Sequence, residues 1–190
     1  MSAPDLSKSQ EALHRHHSPW RTKEKLGRVM WSIVEATLFR LSPRSCYRWR
    51  NWLLRRFGAH VHPTARLRPT VRIEVPWNLT IGPSSSVGDH AILYCLGTVT
   101  LGTRVSISQY SHLCSGTHDH TQPSLPLIRL PIVIEDDVWI AADAFVGPGV
   151  RIGAGTVVGA RAGVFSDLPA WKVCVGLPAR PVGDRVLNNV

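Results

Sequence analysis

Beyond Gly58, an aliphatic residue recurs at every sixth position, and this period restricts the possible folds more than any other feature of the chain. A period of six fits neither the 3.6-residue period of an α-helix nor the two-residue period of a strand. The series slips by two residues before Ile81 and again before Leu101. The fifteen aliphatic residues in near-register are Val61, Leu67, Ile73, Ile81, Val87, Leu93, Leu101, Ile107, Leu113, Ile134, Ile140, Val146, Ile152, Val158 and Val164.

Six-residue periodicity is typical of a triangular solenoid, in which each hexapeptide forms one flat face and three hexapeptides form a coil. The aliphatic residue is expected to point inward and to stack on its counterpart one coil later. Glycine and other small residues at the second position are expected to let the chain turn at the corners. Each coil buries its aliphatic residues only against the next coil, so both ends need a cap. The sequence therefore predicts a mainly β solenoid over residues 59–182.

Residues 26–58 have a helical pattern instead and are predicted to form an amphipathic cap of two helices. Residues 1–25 are predicted to be a flexible polar segment, and residues 183–190 a C-terminal tail. The second helix mixes Trp49 and Trp52 with several arginines, a composition typical of helices that lie on a membrane surface. The alternative is a cap that packs on the rest of the domain and keeps its arginines in water.

The net charge of +9 is concentrated near the N-terminus, since residues 1–72 carry +11 and residues 73–190 carry −2. A basic region can bind nucleic acid, an anionic lipid surface or an acidic substrate. No nucleic-acid-binding signature accompanies it, so nucleic acid is not an expected partner. The apolar run from Val29 to Phe39 contains Glu35 and is shorter than the ~20 residues that cross a bilayer. The polar N-terminus shows no signal peptide, which predicts a cytoplasmic protein, and peripheral contact with the inner face of the plasma membrane stays open.

Residues 115–131, SGTHDHTQPSLPLIRLP, interrupt the period of six. A coil is flat and repetitive and offers no pocket of its own, so an ejected segment is the expected place for a functional group. Prolines at 123, 126 and 131 restrict how far such a segment can move. Two histidines flank Asp119 in it. Histidine titrates near neutral pH and is the side chain best suited to act as a general base there.

The stretches ATLFRLSPRSCYRWRNWLLRRFGA, VPWNLTIG, SISQYSHLCSGTHDH and CVGLPARPV resemble the hexapeptide-repeat acetyltransferases of colanic acid and related exopolysaccharide synthesis. The resemblance covers about residues 29–182, and galactoside and maltose acetyltransferases are more distant relatives. It implies a left-handed parallel β-helix, a homotrimer, acetyl-CoA as donor and a sugar hydroxyl of a glycan precursor as acceptor. It also implies active sites between subunits, where one subunit lends a loop to the coenzyme groove of its neighbour.

Carried over to this chain, the resemblance assigns His118 as the general base that removes the proton of the acceptor hydroxyl. Trp139 matches a tryptophan beside the donor groove, and Arg180 a basic residue near the coenzyme phosphates. Ala142 and Ala160 match positions where small residues leave backbone groups open to the pantetheine arm. The reaction needs no covalent enzyme intermediate and no metal; the developing oxyanion needs a fixed donor such as a backbone N–H.

Other interpretations stay open at this point. Asp119 is expected to cap the turn or orient a histidine, and His120 to contact a substrate or lie in solvent. An N-acetyltransferase acting on an amino sugar or small amine is the main alternative function. The same fold supports carbonic anhydrases of the γ type, with zinc held by three histidines, and His112, His118 and His120 invite that comparison. A non-enzymatic scaffold in polysaccharide assembly is a further alternative.

Overall fold

Two helices precede the solenoid in the computed structural model, which describes residues 20–187. Helix α1 spans Thr22–Val34 and continues as one π-helical turn over Glu35–Phe39, and helix α2 spans Tyr47–Arg56. Helix α1 thus begins four residues before the predicted start of the cap at residue 26. Most of the predicted flexible segment, residues 1–19, and the last three residues of the predicted tail lie outside the described residues.

Short β-strands make up the rest of the described chain, together with one 3₁₀ turn at Pro76–Asn78. The last strand runs to Asp184, two residues into the predicted tail. In chain order the strands are β1 (His60–Val61), β2 (Arg66–Leu67), β3 (Arg72–Ile73), β4 (Leu79–Ile81), β5 (Ser86–Val87), β6 (Ile92–Tyr94), β7 (Val99–Leu101), β8 (Ser106–Ile107), β9 (His112–Cys114), β10 (Gly116–His118), β11 (Leu127–Arg129), β12 (Ile132–Ile134), β13 (Trp139–Ile140), β14 (Phe145–Val146), β15 (Arg151–Ile152), β16 (Val157–Val158), β17 (Gly163–Val164), β18 (Lys172–Gly176) and β19 (Ala179–Asp184).

Three sheets form the faces of a triangular prism, and their strands pair parallel except for the antiparallel pair β18 and β19. Face A consists of β1, β4, β7, β12 and β15; face B of β2, β5, β8, β13, β16, β18 and β19; and face C of β3, β6, β9, β14 and β17. Strands of one face come from successive coils, as in the parallel pairing of Val61 with Ile81 and of Ile81 with Leu101. The prediction of a mainly β, parallel β-helix behind a pair of N-terminal helices is confirmed.

The interior of the prism is the hydrophobic core. All fifteen aliphatic residues of the six-residue series are buried, with at most 4% of their surface exposed. Trp31, Phe39 and Leu54 of the helices extend this core at the N-terminal end, and Cys174 of β18 stacks beyond Val158 at the other end. The six-residue period therefore predicted the core correctly. Burial of these side chains stabilises the stack by about 25 cal/mol per Å² of apolar area removed from water.

The second-position glycines have a different role from the predicted one. At the corners it is the third residue after the inward one that adopts a positive φ, and many of these are not glycine; Ser84, Asp137 and Arg161 have φ of 57°, 61° and 59°. Gly82 has no positive φ, but a Cβ there would lie 2.5 Å from the carbonyl oxygen of Gly102 in the next coil. Glycine at the second position thus permits close contact between coils.

Gly82→Ala is expected to lower the free energy of unfolding by about 1–3 kcal/mol, because the new methyl group must displace the backbone of the next coil. Gly183→Ala is the matched control, since a Cβ at Gly183 would meet nothing within 4 Å. Thermal unfolding followed by circular dichroism measures both. If Gly82→Ala melts with the wild-type protein, close contact is not the reason for glycine at this position.

All three departures from the period of six occur where the chain passes from face C to face A. We call this the C–A edge and define it by residues 74–78, 95–98 and 115–131. Its layers are hydrogen-bonded to each other: the Asn78 side-chain amide donates to the carbonyl oxygens of Cys95 (3.0 Å) and Leu96 (2.9 Å). The two-residue slips and the long interruption therefore build one continuous edge of the prism.

Candidate active site

The interruption is a β-hairpin rather than an irregular loop. Strands β10 and β11 pair antiparallel, with Gly116 opposite Arg129 and His118 opposite Leu127. The hairpin is anchored by the buried Ser115, whose hydroxyl lies 2.9 Å from the carbonyl oxygen of Tyr94 and accepts the N–H of Gly97 at 3.0 Å. His118 consequently stands at the end of a paired strand that is attached to the preceding coil.

The hydrogen bond of His118 determines which ring nitrogen is available for catalysis. Its Nδ1 lies 2.6 Å from the carbonyl oxygen of Leu125 across the hairpin turn. A carbonyl oxygen can only accept, so Nδ1 carries the proton, and in the neutral ring Nε2 is left with the free lone pair. The side chain is exposed. His118 thus has the tautomer that a general base acting through Nε2 requires.

Asp119 holds the turn of the hairpin. One carboxylate oxygen accepts the backbone N–H of Thr121 at 3.0 Å and its hydroxyl at 2.6 Å, and the other accepts the Gln122 side-chain amide at 2.8 Å. The hydrogen bonds from Thr121, followed by that from Gln122, lower the pKa of Asp119 below its ordinary value. The geometry agrees with the turn-capping role expected for Asp119, while His120 is exposed beside it.

Three of the predicted coenzyme residues lie on face B or where it turns into face C. Trp139 is on β13, is 46% exposed, and donates its indole N–H to the Ser108 hydroxyl at 3.0 Å. Ala142 and Ala160 occupy equivalent corner positions one coil apart, and the carbonyl oxygen of Ala142 accepts the N–H of Arg161 at 2.9 Å. The Trp139 indole and the corner residues Ala142 and Ala160 therefore lie along one side of the prism.

Arg180 lies on β19, the outer strand of face B, and is exposed. Its guanidinium donates to the carbonyl oxygen of Ala179 at 2.9 Å, and within residues 20–187 no carboxylate pairs with it. The neighbouring Lys172 is paired with Asp184 instead. Because a guanidinium suits a phosphate group well, Arg180 has the surroundings expected of a residue that binds phosphate.

One chain does not bring the predicted base and the predicted coenzyme residues to the same side. The hairpin with His118 leaves the C–A edge, whereas Trp139, Ala142, Ala160 and Arg180 lie on face B and the corner between faces B and C. In a triangular prism the C–A edge lies opposite face B, so the core of the prism lies between the hairpin and face B.

A cleft between helix α1 and face C was not predicted from the sequence. It consists of two cavities of about 360 Å³ and 200 Å³ that share Glu35, Ile73 and Glu74 in their walls. Arg28 forms an ion pair with Glu74 in the larger cavity, and His112 lines the smaller one. The cleft borders strand β9, from which the chain continues into the hairpin. Its wall residues are scattered over α1 and successive coils, and the only sequence signal is their outward position on face C.

Three titratable groups of this cleft are perturbed, and burial raises the pKa of one of them, Tyr94. Burial raises the pKa of Glu35, although the N–H of Ile73 donates to its carboxylate at 2.6 Å. Burial lowers the pKa of His112, whose ring lies edge-on to Tyr94 and Phe145 with centroids 6.3 Å and 5.4 Å away. The Nε2 atom of His112 is buried and has no hydrogen-bond partner among the described residues. In this part of the chain no three His, Cys, Asp or Glu side chains form a group that could hold a metal ion.

Glu35→Gln is expected to raise the melting temperature relative to the wild type by an amount that grows with pH. Below the ordinary pKa of 4.5, the Glu35 carboxyl is protonated in both the folded and the unfolded chain and resembles glutamine. Because its pKa is raised in the folded chain, the stability associated with the bound proton is lost as pH rises through the folded pKa. Thermal melts of both proteins from about pH 4 to pH 8 measure the difference.

The control for this comparison is Glu24→Gln, on the first turn of the same helix, where the carboxylate is at the surface. Its melts over the same range report the effect of removing a carboxylate of helix α1 that lies outside the cleft. A difference for Glu35→Gln that does not change with pH would show that burial of Glu35 does not couple folding to protonation.

Comparisons with known proteins agree with the coil architecture. Residues 131–166 match the family model of the bacterial transferase hexapeptide (six repeats). A putative colanic acid biosynthesis acetyltransferase of Escherichia coli K12 is 50% identical over 157 residues, which cover 83% of this chain and 86% of the relative. The galactoside O-acetyltransferase of the same organism is 29% identical over 143 residues, or 74% of this chain and 70% of the relative.

A solved structure extends the comparison to the fold. The hexapeptide-repeat acetyltransferase of Vibrio cholerae in complex with acetyl coenzyme A has a TM-score of 0.79 at 24% identity, covering 90% of this chain and 93% of that one. Stacked hexapeptide coils are the architecture of a hexapeptide-repeat transferase. The chain belongs to the hexapeptide-repeat acetyltransferases, in the branch of the putative colanic acid biosynthesis enzymes.

Proposed function

We propose that the protein transfers the acetyl group of acetyl-CoA to a sugar hydroxyl of an exopolysaccharide or related glycan precursor, with His118 as the general base. The observation that carries this proposal is the bond from Nδ1 of His118 to the Leu125 carbonyl oxygen, which leaves Nε2 free to accept a proton. Acetyl-CoA as donor is supported by the Vibrio cholerae relative, which was solved with that molecule bound. A cytoplasmic location is proposed with it, because acetyl-CoA is a cytoplasmic metabolite.

In this reaction Nε2 of His118 takes the proton of the acceptor hydroxyl while the hydroxyl oxygen attacks the thioester carbon. A C–O bond forms, and negative charge develops on the thioester oxygen, which a fixed N–H donor would stabilise. The tetrahedral intermediate then collapses, the C–S bond breaks, and the CoA sulfur takes the proton back from Nε2. The products are the acetyl ester and free CoA, and His118 returns to its neutral form.

We propose the cleft between α1 and face C as the place of the acceptor. It borders the root of the hairpin, and its walls combine carboxylates, arginines and the Tyr94 ring, side chains that can bond and stack against a polyhydroxylated ring. At the mouth of the cavity, Glu74 would accept hydrogen bonds from sugar hydroxyls and Arg72 would donate hydrogen bonds to them. A sugar amine in the same cleft would give an amide, which is the alternative function.

We further propose a homotrimer in which each active site lies between two subunits. The separation of His118 from the four predicted coenzyme residues around the prism supports this arrangement, because cyclic symmetry brings different sides of identical chains together. His118 of one subunit would then face Trp139, Ala142, Ala160 and Arg180 of its neighbour.

Mixed trimers test this arrangement. His118→Ala and the pair Trp139→Ala with Arg180→Glu are each expected to be nearly inactive alone. Co-refolded in equal amounts, they are expected to recover about a quarter of wild-type activity, because each mixed trimer contains one interface with an intact base and an intact groove. No recovery, with mixed trimers demonstrated by mass, would place the whole site within one chain.

The acceptor is identified by incubating the protein and acetyl-CoA with free, nucleotide-linked and lipid-linked glycan precursors and measuring the products by mass. Alkali-labile ester products support O-acetylation. Alkali-stable products on amino sugars alone would establish the alternative, and hydrolysis of acetyl-CoA with no acceptor modified would exclude both.

A further inference from the structure

The outer side of helix α1 exposes a continuous apolar stripe. Leu26, Val29, Met30 and Ile33 follow the helical spacing that places residues on one face, and each is between 52% and 62% exposed. The π-helical turn, with its bond from the Arg40 N–H to the Glu35 carbonyl, places Leu38 one turn beyond Ile33. The stripe thus continues through Leu38 and Leu41, which are 52% and 78% exposed.

Helix α2 adds two tryptophans to the same surface. The rings of Trp49 and Trp52 stack with their centroids 5.2 Å apart, and the indole N–H of Trp49 donates to the Leu38 carbonyl oxygen at 3.0 Å. A shallow apolar groove of about 380 Å³ runs between Leu41 and Trp49. We call the whole set the cap surface: Leu26, Val29, Met30, Ile33, Leu38, Leu41, Trp49 and Trp52.

Positive charge surrounds the cap surface. Residues 21–57 contain ten Lys or Arg against two acidic residues, Glu24 and Glu35, and all ten except the buried Arg50 are at least partly exposed. The exposed Lys25, Arg40 and Arg48 directly precede members of the cap surface in the sequence. The guanidinium of Arg56 lies over the Trp52 ring, 5.7 Å from its centroid. An apolar strip bordered by cations and tryptophans fits the boundary between anionic headgroups and acyl chains.

We propose that the cap surface binds the surface of an anionic lipid bilayer, with helix α1 lying in the plane of the interface. In residues 20–187 no helix is long and apolar enough to cross a membrane, so the helices are placed on the bilayer and not through it. The opposite sides of both helices, through Trp31, Phe39 and Leu54, already belong to the core. Binding therefore needs no rearrangement of the solenoid.

Other occupants of the cap surface are disfavoured by charge and composition. A second copy would bring two regions of high positive charge together, which costs electrostatic energy. The preceding residues 1–19 contain three large aliphatic residues, Met1, Leu6 and Leu13, and no aromatic residue. This is too little apolar area to cover eight exposed side chains.

Flotation of the full chain with lipid vesicles tests the proposal. The protein is expected to float with vesicles that contain phosphatidylglycerol, to bind phosphatidylcholine alone far less, and to dissociate as salt is raised. Arg40→Ala with Arg48→Ala is expected to weaken binding roughly thirtyfold, since each cation near the surface contributes about 1 kcal/mol. Ile33→Asp with Trp52→Glu is expected to abolish flotation.

The matched control is Val186→Glu, which adds a charge at a site that is 79% exposed outside the cap surface. It is expected to float like the wild type, and all variants are expected to keep the wild-type melting temperature and activity on a soluble acceptor. Failure of the wild type to float, or equal flotation of Ile33→Asp with Trp52→Glu, would overturn the proposal. Flotation that appears only after deletion of residues 1–19 would also overturn it. A change in oligomeric state on mutation of the cap surface, without any lipid binding, would do the same.

Discussion

Replacing His118 by alanine is expected to lower kcat for acetyl transfer by roughly 10²–10⁴-fold, the usual contribution of a general base. The acceptor hydroxyl has a very high pKa, and the variant lacks the Nε2 atom assigned to take its proton as the C–O bond forms. The KM for acetyl-CoA is expected to change little, because His118 is assigned to the proton of the acceptor and not to coenzyme binding. Initial rates of CoA release, with acceptor and donor varied separately, separate the two parameters.

His120→Ala is the control for this experiment. It removes an imidazole two residues away on the same exposed hairpin. A loss of activity caused only by removing a histidine, or by lower solubility of the hairpin, would therefore appear in both variants. It is expected to retain most of the activity. Equal rates for His118→Ala and the wild type would remove His118 as the base, and a loss confined to His120→Ala would transfer the role to that residue.

The body of the fold could be predicted from the sequence because its signal is repeated. Each inward aliphatic residue has neighbours one coil away that obey the same rule, so all fifteen assignments support one another, and all fifteen residues are buried. The corners were harder to interpret. A glycine can supply a positive φ or close contact, and the sequence alone does not separate the two; Gly82 needs the second, while Ser84 adopts the positive φ.

The candidate site could be placed from the sequence only in part. The interruption at residues 115–131 predicts a functional segment because it breaks a regular pattern, but its pairing as β10 and β11 carries no periodic signal. The cleft between helix α1 and face C was not predicted from the sequence. Arg72 and His112 come from coils 40 residues apart, and their proximity follows only after the coil length is known. Glu35 reaches the same cavity from a helix outside the repeat.

The C–A edge connects these observations. Face B and the corner between faces B and C keep the period of six, as a groove for an extended ligand would require. The C–A edge instead lengthens by two residues in each of two coils and then ejects the hairpin. Asn78 and Ser115 bond these layers to each other, so the irregular edge, like the regular faces, is held by hydrogen bonds between coils. Because the irregular segments all lie on this one edge, the rest of the stack stays regular while the hairpin holds His118 in a defined orientation.

Arg50→Met is expected to give a large loss of stability for the substitution of a charged residue in the helical cap. A cap with its arginines in water was one expectation from the sequence, and for Arg50 it was wrong: this side chain is 0% exposed. Its Nε donates to the Leu67 carbonyl oxygen at 2.8 Å, and its two terminal nitrogens donate to the Ser42 hydroxyl and to the carbonyl oxygens of Pro43 and Arg44 at 2.7–2.8 Å. Arg50 thus joins α2, the connection between the helices and the first coil.

Methionine fills much of the same space but removes the side-chain donor from the carbonyl oxygens of Leu67 and Arg44, whereas the Pro43 oxygen still accepts the N–H of Cys46. Because an unsatisfied buried group costs about 1–3 kcal/mol, the expected loss is about 2–3 kcal/mol, or a fall in melting temperature of roughly 4–12 °C. Arg50→Lys is expected to lie between, because one ammonium group cannot reach all four acceptors. Arg48→Met, on the exposed side of the same helix, is the control and is expected to change stability by less than about 0.5 kcal/mol. Equal melting temperatures for Arg48→Met and Arg50→Met would mean that the buried guanidinium contributes no net stability, because its desolvation cancels its four hydrogen bonds.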